Sequence, residues 1–361
     1  MQIFALGGAA VFRSFSATVA RLAIVVFFMA YGDVFCAGHD EIVAKAKQEG
    51  SLKGLLGLEQ EAIKQLKEGF SKRYPFIRTS FEEITGTDAA QRFLLELKAG
   101  GASQWDIAHI SPDFHSEYLP YLERLDLGGM VEQGVLQIPS KMVSPKSRNI
   151  IAAGSVVDVA AYGNALLSAG QIPKSWEDFL RPEYKGKKIA LDVRPLALAT
   201  LFPAQGRDWV LNFARRLAAQ DPVWVRTHPR TLTAMAAGEF PLFLGTYYHT
   251  VMNQRSKGIQ NIEFLLLEPV PVRLLSVYGI VKGSRSPHAA MLFFEYLSGP
   301  EAQKMLDDIE PLKSSIYSQH SKLEQLVRGR KTSVIDWEYL DKMQSYMAQI
   351  SEAYGFPTVT K

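Results

Sequence analysis

The sequence predicts an α/β fold of two lobes, because short apolar runs typical of strands alternate with amphipathic helices along most of its 361 residues. Its length fits two domains of roughly 100–200 residues each better than a single one. No sequence repeat, low-complexity tract or long linker separates the two α/β halves. We therefore expect the lobes to pack around a shared cleft, where ligands of open α/β folds usually bind.

The first half of the chain alternates strands with helices in a regular order. Between the apolar runs, residues such as Ile63, Leu66 and Phe70 recur at the spacing of one helix face. Strand followed by helix and strand favours parallel pairing with helices covering the sheet. The predicted strands of this half are residues 51–58, 76–84 and 105–111.

The second half repeats this alternation. The predicted strands are residues 156–164, 186–193, 241–245 and 273–283. Helical spacing follows most of them, and a helix start is expected within residues 172–180. Near the end, two predicted helical segments are separated by Gly299-Pro300. A last amphipathic helix is predicted at the C-terminus. Each lobe should therefore be a parallel or mixed sheet flanked by helices.

Residues 1–38 predict a secretory signal peptide. Two arginines precede nine uncharged and mostly apolar residues at 22–30, and small residues follow at 36–38. Nine residues are too few for a hydrocarbon core that needs about 20, so a membrane anchor is the less favoured alternative. Cleavage near the end of this segment removes Cys36, the only cysteine. The mature chain then has no thiol or disulfide, which is consistent with an oxidising periplasm.

Composition and motifs argue against several function classes. The formal net charge is +3 and the basic residues are scattered, so nucleic-acid binding is not expected. The sequence has no GK[ST] phosphate loop, GxGxxG, GxSxG or HExxH motif. The seven histidines lack the i, i+4 pairing of a helical zinc site. These absences favour binding over catalysis.

Two adjacent tyrosines end an apolar run in "FLGTYYHTV", residues 243–251. Neighbouring side chains of a strand point to opposite faces. Tyr247 and Tyr248 can serve one site only if the backbone leaves extended geometry, which Gly245 permits. Aromatic packing at a strand end is the alternative explanation for such a pair.

Five segments, in this order along the chain, resemble periplasmic solute-binding proteins of ABC importers, in the ferric-ion-binding-like family 1. They are "EIVAKAKQEGSLKGLLG", "EGFSKRYPFI", "QRFLLELKAGGASQWDIAHIS", "IPKSWEDFLRPEYKGKKIAL" and "GIVKGSRSPHAAMLFFEYLSGPEAQKML". The resemblance implies a type II periplasmic-binding-protein-like fold, in which crossing strands join two α/β lobes that close over a ligand. It also implies a non-enzymatic monomer that delivers its cargo to an inner-membrane ABC permease.

The expected division of the chain follows from this resemblance. After the signal peptide at 1–38, residues 39–130 form the first part of lobe 1 and residues 131–272 form lobe 2. Residues 273–315 return to lobe 1, and the C-terminal helices at 316–361 pack on lobe 2.

The resemblance also implies a set of ligand-binding residues. Tyr247 and Tyr248 occupy the place of a tyrosine pair that gives two phenolate oxygens to Fe(III) in ferric-binding members. Glu59, in the first loop, corresponds to a further metal ligand. Ser111 and Asp113 follow the third strand, near a carboxylate of some members. The sequence departs from the family after the strand at 186–193, where many members have a serine-rich anion site and this chain has "DVRPLALA"; Arg194, beside a helix start, is suited to hold an accompanying anion or the carboxylate or phosphonate of an organic ligand.

Two kinds of cargo remain open at this point. Ferric iron with carbonate, phosphate or citrate is favoured, and a small organic anion is the alternative, either a phosphonate, a phosphate ester or a carboxylate. No resident cofactor is required in either case. An enzyme on the same two-lobe fold, or an adhesion protein, is less favoured.

Overall fold

The computed structural model describes residues 38–84, 87–101, 104–319 and 321–356. The predicted signal peptide lies outside these ranges, apart from its last residue. The strands are β1 (Ser51–Leu56), β2 (Arg78–Glu83), β3 (Ile107–Ile110), β4 (Ile150–Gly163), β5 (Ile189–Asp192), β6 (Val223–Val225), β7 (Leu242–Tyr247), β8 (Ile262–Leu265), β9 (Val270–Ile280) and β10 (Thr332–Ile335).

The helices cover both faces of the sheet. They are α1 (38–49), α2 (Gln60–Arg73), α3 (Thr87–Lys98), α4 (Leu127–Glu132), α5 (Leu196–Ala199), α6 (Phe202–Gln205), α7 (Arg207–Ala218), α8 (His228–Ala236), α9 (Tyr248–Ser256), α10 (Pro287–Ser298), α11 (Pro300–Ile309), α12 (Lys322–Val327) and α13 (Met343–Ala353). Within the described ranges, no helix has the length and apolar character needed to cross a membrane.

Two sets of parallel strands are joined by two long antiparallel strands. The strand order is β2-β1-β3-β9-β4-β7-β5-β6, with β10 beside β9 and β8 beside β4. Strand β1 pairs parallel with β2 and β3, and β5 pairs parallel with β6 and β7. Strands β4 and β9 are antiparallel to each other and run from one set to the other. The fold is therefore an α/β fold of two lobes, each with a mixed sheet.

The apolar cores show where the chain passes between lobes. One pair of core clusters includes Ala153 of β4 and Val277 of β9, whereas the other pair includes Val157 of β4 and Val272 of β9. The change of lobe thus falls within the two crossing strands. The side chains of Leu136, Ile138, Met142 and Val143 pack in the first-lobe core, whereas the sequence predicts the start of lobe 2 at residue 131.

Several predicted elements have different bounds in the structure. Strand β4 begins six residues before the predicted residue 156. The helix expected within 172–180 is a 3-10 turn at Glu177–Leu180, because the Asp178 carboxylate accepts the backbone N–H groups of Lys174 and Ser175 and closes a turn. The interruption at Gly299-Pro300 is confirmed, since α10 ends and α11 begins there. Helix α13 packs against α5 and α7.

Candidate functional site

The tyrosine pair lies at a bulge where β7 ends and α9 begins. The register of β4 with β7 shifts so that Val159 pairs with Thr246 and Ala160 with Leu244, which leaves Gly245 as an extra residue. Gly245 has a φ of +90°, and a Cβ there would lie 3.0 Å from the Cβ of Ala197. A residue with a side chain is disfavoured at this position on both counts.

The rings of the two tyrosines contact different groups. The Tyr247 ring lies 4.5 Å from the His228 ring and stacks on His249 at 5.5 Å, measured between centroids. The Tyr248 ring instead packs edge-on against Phe264 of β8 at 4.8 Å, beside the apolar core under α8 and α9. The two phenols therefore do not share one set of contacts.

Burial favours the neutral form of both phenols. It raises the pKa of Tyr247 to about 12, an effect that Arg273 opposes and Asp158 and Asp192 reinforce. Burial also raises the pKa of Tyr248. Near neutral pH, Tyr247 is thus a phenol that can donate a hydrogen bond.

A buried ion pair lies beside Tyr247. In the pairing of β4 with β7, Asp158 is directly opposite Tyr247, and its Oδ2 lies 3.5 Å from Nε of Arg273. Both side chains are almost inaccessible to solvent. Burial raises the pKa of Asp158 to about 6, although the positive charge of Arg273 opposes this rise. The Arg273 guanidinium also lies over the Tyr247 ring, with Cζ 5.7 Å from the centroid.

A second buried pair holds the end of β5 against α8. His228 Nε2 lies 2.7 Å from Asp192 Oδ2, and Thr246 Oγ1 lies 3.4 Å from Nδ1 of the same ring. Asp192 Oδ1 accepts the backbone N–H of Arg194 at 2.9 Å. The Arg194 side chain is 56% exposed, with one guanidinium nitrogen 3.6 Å from Asp192 Oδ2. The charge of Arg194 opposes the rise that burial causes in the pKa of Tyr247.

The first lobe contributes a third ion pair. Glu59 is exposed and its side chain makes no capping hydrogen bond at the start of α2. Its backbone N–H donates to Oε1 of buried Glu310 at 2.9 Å, and the Glu310 Oε2 lies 2.6 Å from Nζ of Lys313. The structure thus brings the backbone of Glu59, not its carboxylate, into this network.

The Lys313 charge acts on histidines of both lobes. Burial lowers the pKa of His109, on β3, to about 4, and the positive charge of Lys313 adds to this effect. Burial likewise lowers the pKa of His249, on α9, to about 3, and Lys313 again contributes. The position of Lys313 between the lobes follows from its backbone, since its carbonyl accepts the N–H of Ser155 on the crossing strand β4 at 3.4 Å.

Ser111 forms part of a local turn. It is buried at the end of β3, and its carbonyl accepts the backbone N–H of Phe114 at 3.3 Å. The side chain of Asp113 lies outside what the structure describes. Neither residue has a described contact with Tyr247.

Arg194 and Tyr247 both lie beside the His228–Asp192 pair, and further ionisable residues that were not predicted as ligands lie near them. A signal for two of them is present in the sequence, since Asp158 and Arg273 are single charges in the otherwise apolar runs "VVDVAAY" and "VPVRLLSVY". A charge in a buried strand requires a partner. Among the described residues, no three His, Cys, Asp or Glu side chains are grouped so as to hold a metal ion. The added residues are Asp158, Asp192, His228, His249, Arg273 and Lys313.

Two α/β lobes joined by crossing strands, with polar side chains gathered where they meet, define a type II periplasmic-binding-protein-like fold. Residues 121–343, more than half of the chain, match the family described as bacterial extracellular solute-binding protein. The protein belongs to this family. No curated protein matches the sequence.

Solved structures support the same fold. The ferric binding protein from Campylobacter jejuni has a TM-score of 0.64 at 18% identity, covering 85% of this chain and 100% of that chain. The Trichodesmium protein IdiA (FutA), solved with iron and citrate, has a TM-score of 0.66 at 14% identity, covering 85% and 100%. The substrate binding protein of an ABC transporter from Agrobacterium tumefaciens has a TM-score of 0.62 at 15% identity, covering 84% and 95%. Such identities establish the fold and leave the cargo open.

Proposed function

We propose that the protein is the periplasmic binding component of an ABC importer, and that it captures a small anion in the cleft between its lobes. The anion is a carboxylate, phosphate or phosphonate, delivered unchanged to an inner-membrane permease. Membership of the solute-binding family and the ABC-transporter protein among the structural neighbours support this role. The observation that favours an anion is the guanidinium of Arg194, which is 56% exposed and whose nearest recorded carboxylate oxygen lies 3.6 Å away, whereas Arg273 and Lys313 are largely buried and already paired with Asp158 and Glu310.

Each of these groups suits an anionic oxygen in a different way. Arg194 is half exposed and offers a planar fork of donors, which matches carboxylate and phosphate geometry. Tyr247, kept protonated by burial, is a neutral donor beside it. Arg273 is already paired with Asp158, so it supplies a long-range positive potential and orients Tyr247.

Ferric iron carried with carbonate, phosphate or citrate is the second candidate. It is favoured by the position of Tyr247 beside the buried carboxylates of Asp158 and Asp192, because a hard cation prefers anionic oxygen. It is disfavoured by Tyr248, whose ring packs against Phe264 and would have to turn to supply a second phenolate. We therefore rank the anion without iron first.

Calorimetric titration of the mature protein with citrate, inorganic phosphate and methylphosphonate tests the anion directly. We expect at least one of the three to bind in the micromolar range or tighter, corresponding to about 8 kcal/mol. Absence of binding by all three would contradict the proposal. The same protein mixed with ferric salt and bicarbonate or citrate should show no phenolate-to-iron absorption band. A band that disappears in Tyr247→Phe and in Tyr248→Phe would instead establish the ferric candidate.

A further inference from the structure

The backbone around Lys313 is fixed against a strand that joins the lobes. Ser314 forms an isolated antiparallel bridge with Gly154 of β4, and the Lys313 carbonyl accepts the backbone N–H of Ser155 at 3.4 Å. A Cβ on Gly154 would lie 2.9 Å from that carbonyl oxygen. Glycine at residue 154 thus allows this close approach, which holds Lys313 at the crossing between the lobes.

The Lys313 side chain is largely buried but has donors to spare. It is 13% exposed, and its Nζ lies 2.6 Å from Oε2 of Glu310, which is 2% exposed. Within the part of the chain that the structure describes, Glu310 is the only partner recorded for this ammonium group. An ammonium group has three N–H donors, so two remain for a ligand or for water.

The surroundings of Lys313 include few groups that would compete for an anion. Burial together with the Lys313 charge keeps the rings of His109, on β3 of the first lobe, and His249, on α9 of the second lobe, neutral. The Nδ1 atom of His109 is buried and has no hydrogen-bond partner among the described residues. Across the described ranges, Glu310 is the only carboxylate recorded as pairing with Lys313, and its second oxygen accepts the N–H of Glu59.

We propose that Lys313 is the first-lobe residue that binds the anion, opposite Arg194 and Tyr247 of the second lobe. Glu310 orients the ammonium group and competes with the anion for it. An anion held by the second lobe then gains a charge-assisted hydrogen bond from Lys313 when the lobes approach each other, which favours the closed state. This inference rests on the proposed function, since it assigns a residue to the same cleft.

Two substitutions separate this role from that of a structural ion pair, because they should act in opposite directions. Lys313→Gln removes the donor, and we expect the affinity for the tightest of citrate, phosphate and methylphosphonate to fall about tenfold or more. Glu310→Gln removes the competing charge but keeps an oxygen for the Glu59 N–H, and we expect the same affinity to rise severalfold. If the pair is merely structural, both variants should weaken binding to the same extent.

Two further variants keep the test decisive if Glu310→Gln does not fold. Lys313→Arg retains a positively charged donor and should recover part of the affinity lost in Lys313→Gln, since the planar guanidinium differs in shape from an ammonium group. Lys304→Gln removes an exposed lysine that is paired with Asp308 and should leave affinity unchanged. If Lys313→Gln binds the anion as tightly as the original protein, the assignment of Lys313 is wrong, but the proposed function is not affected. Failure of the original protein to bind any of the three anions would overturn the proposed function itself.

Discussion

The guanidinium of Arg273 lies over the ring of Tyr247, with Cζ 5.7 Å from the ring centroid. Arg273 is on the crossing strand β9, whereas Tyr247 ends β7 in the second lobe. The two strands lie on opposite sides of β4, and Asp158 of β4 pairs with Arg273. This contact therefore couples the strands that join the lobes to the residue that we place at the centre of the ligand site.

The two tyrosines should differ sharply when each is replaced by phenylalanine. Tyr247→Phe removes a hydrogen-bond donor from the proposed anion site beside Arg194, and we expect anion affinity to fall about tenfold. Tyr248→Phe changes a ring that packs on Phe264, so affinity should stay within about twofold. Calorimetric titration with the tightest anion measures both. Equal losses in the two variants would place both phenols in the site.

Arg194 should be responsible for part of the salt dependence of binding. Replacing it with alanine removes an exposed guanidinium near Tyr247, and we expect about tenfold weaker binding with a shallower dependence on salt concentration. Arg216→Ala is a matched control, because Arg216 is exposed to a similar degree and pairs with Glu177 away from the cleft residues. Titrations at low and high salt separate the two variants. An unchanged salt dependence in Arg194→Ala would exclude Arg194 from the site.

Gly245→Ala should destabilise the fold and disturb the position of Tyr247. Its φ of +90° is unfavourable for alanine, and the added Cβ would be crowded by Ala197. We expect a loss of about 1–2 kcal/mol in the free energy of unfolding, measured by urea denaturation. Gly170→Ala is the control, since a Cβ there meets nothing within 4 Å and its φ is not positive. If the two variants have equal free energies of unfolding, residue 245 does not require glycine.

Asp158 should make stability depend on pH in a defined direction. Its pKa is raised from 3.8 to about 6 in the folded protein. Folding therefore favours the protonated carboxyl, and this contribution is present below about pH 4 and is lost as pH rises through about 6. Relative to Asp158→Asn, the original protein should lose on the order of 2–3 kcal/mol of unfolding free energy between pH 4 and pH 7. If the difference in unfolding free energy between the original protein and Asp158→Asn is the same at pH 4 and pH 7, the raised pKa of Asp158 is contradicted.

Alternating patterns in the sequence were sufficient to predict the α/β class and most of the longer elements. Apolar runs located β1, β5 and β7, and helical spacing located α2, α7 and α13. The strands β6, β8 and β10 are three or four residues long and only partly buried, so they lack the continuous apolar run that located β5, which is equally short but fully buried. Leu136, Ile138, Met142 and Val143 join the first-lobe core through tertiary packing that local periodicity does not report.

The candidate site was only partly predictable for a similar reason. Gly245 indicated a departure from extended geometry, but the direction of each tyrosine ring depends on the bulge against β4 and on where α9 begins. Asp158 and Arg273 are more than a hundred residues apart in the chain and meet only because β4 pairs with β9. Lys313 is held at the crossing strands because its neighbour Ser314 forms a bridge with Gly154 of β4, and no sequence pattern indicates that contact.

A crystal structure of the mature protein with the tightest-binding of the three anions tests the central claim most directly. We predict that an oxygen of the anion lies about 2.7–3.2 Å from Tyr247 Oη and within hydrogen-bond reach of Arg194, between the two lobes. An anion bound outside the cleft, or a cleft ligand that does not contact Tyr247, would contradict the account.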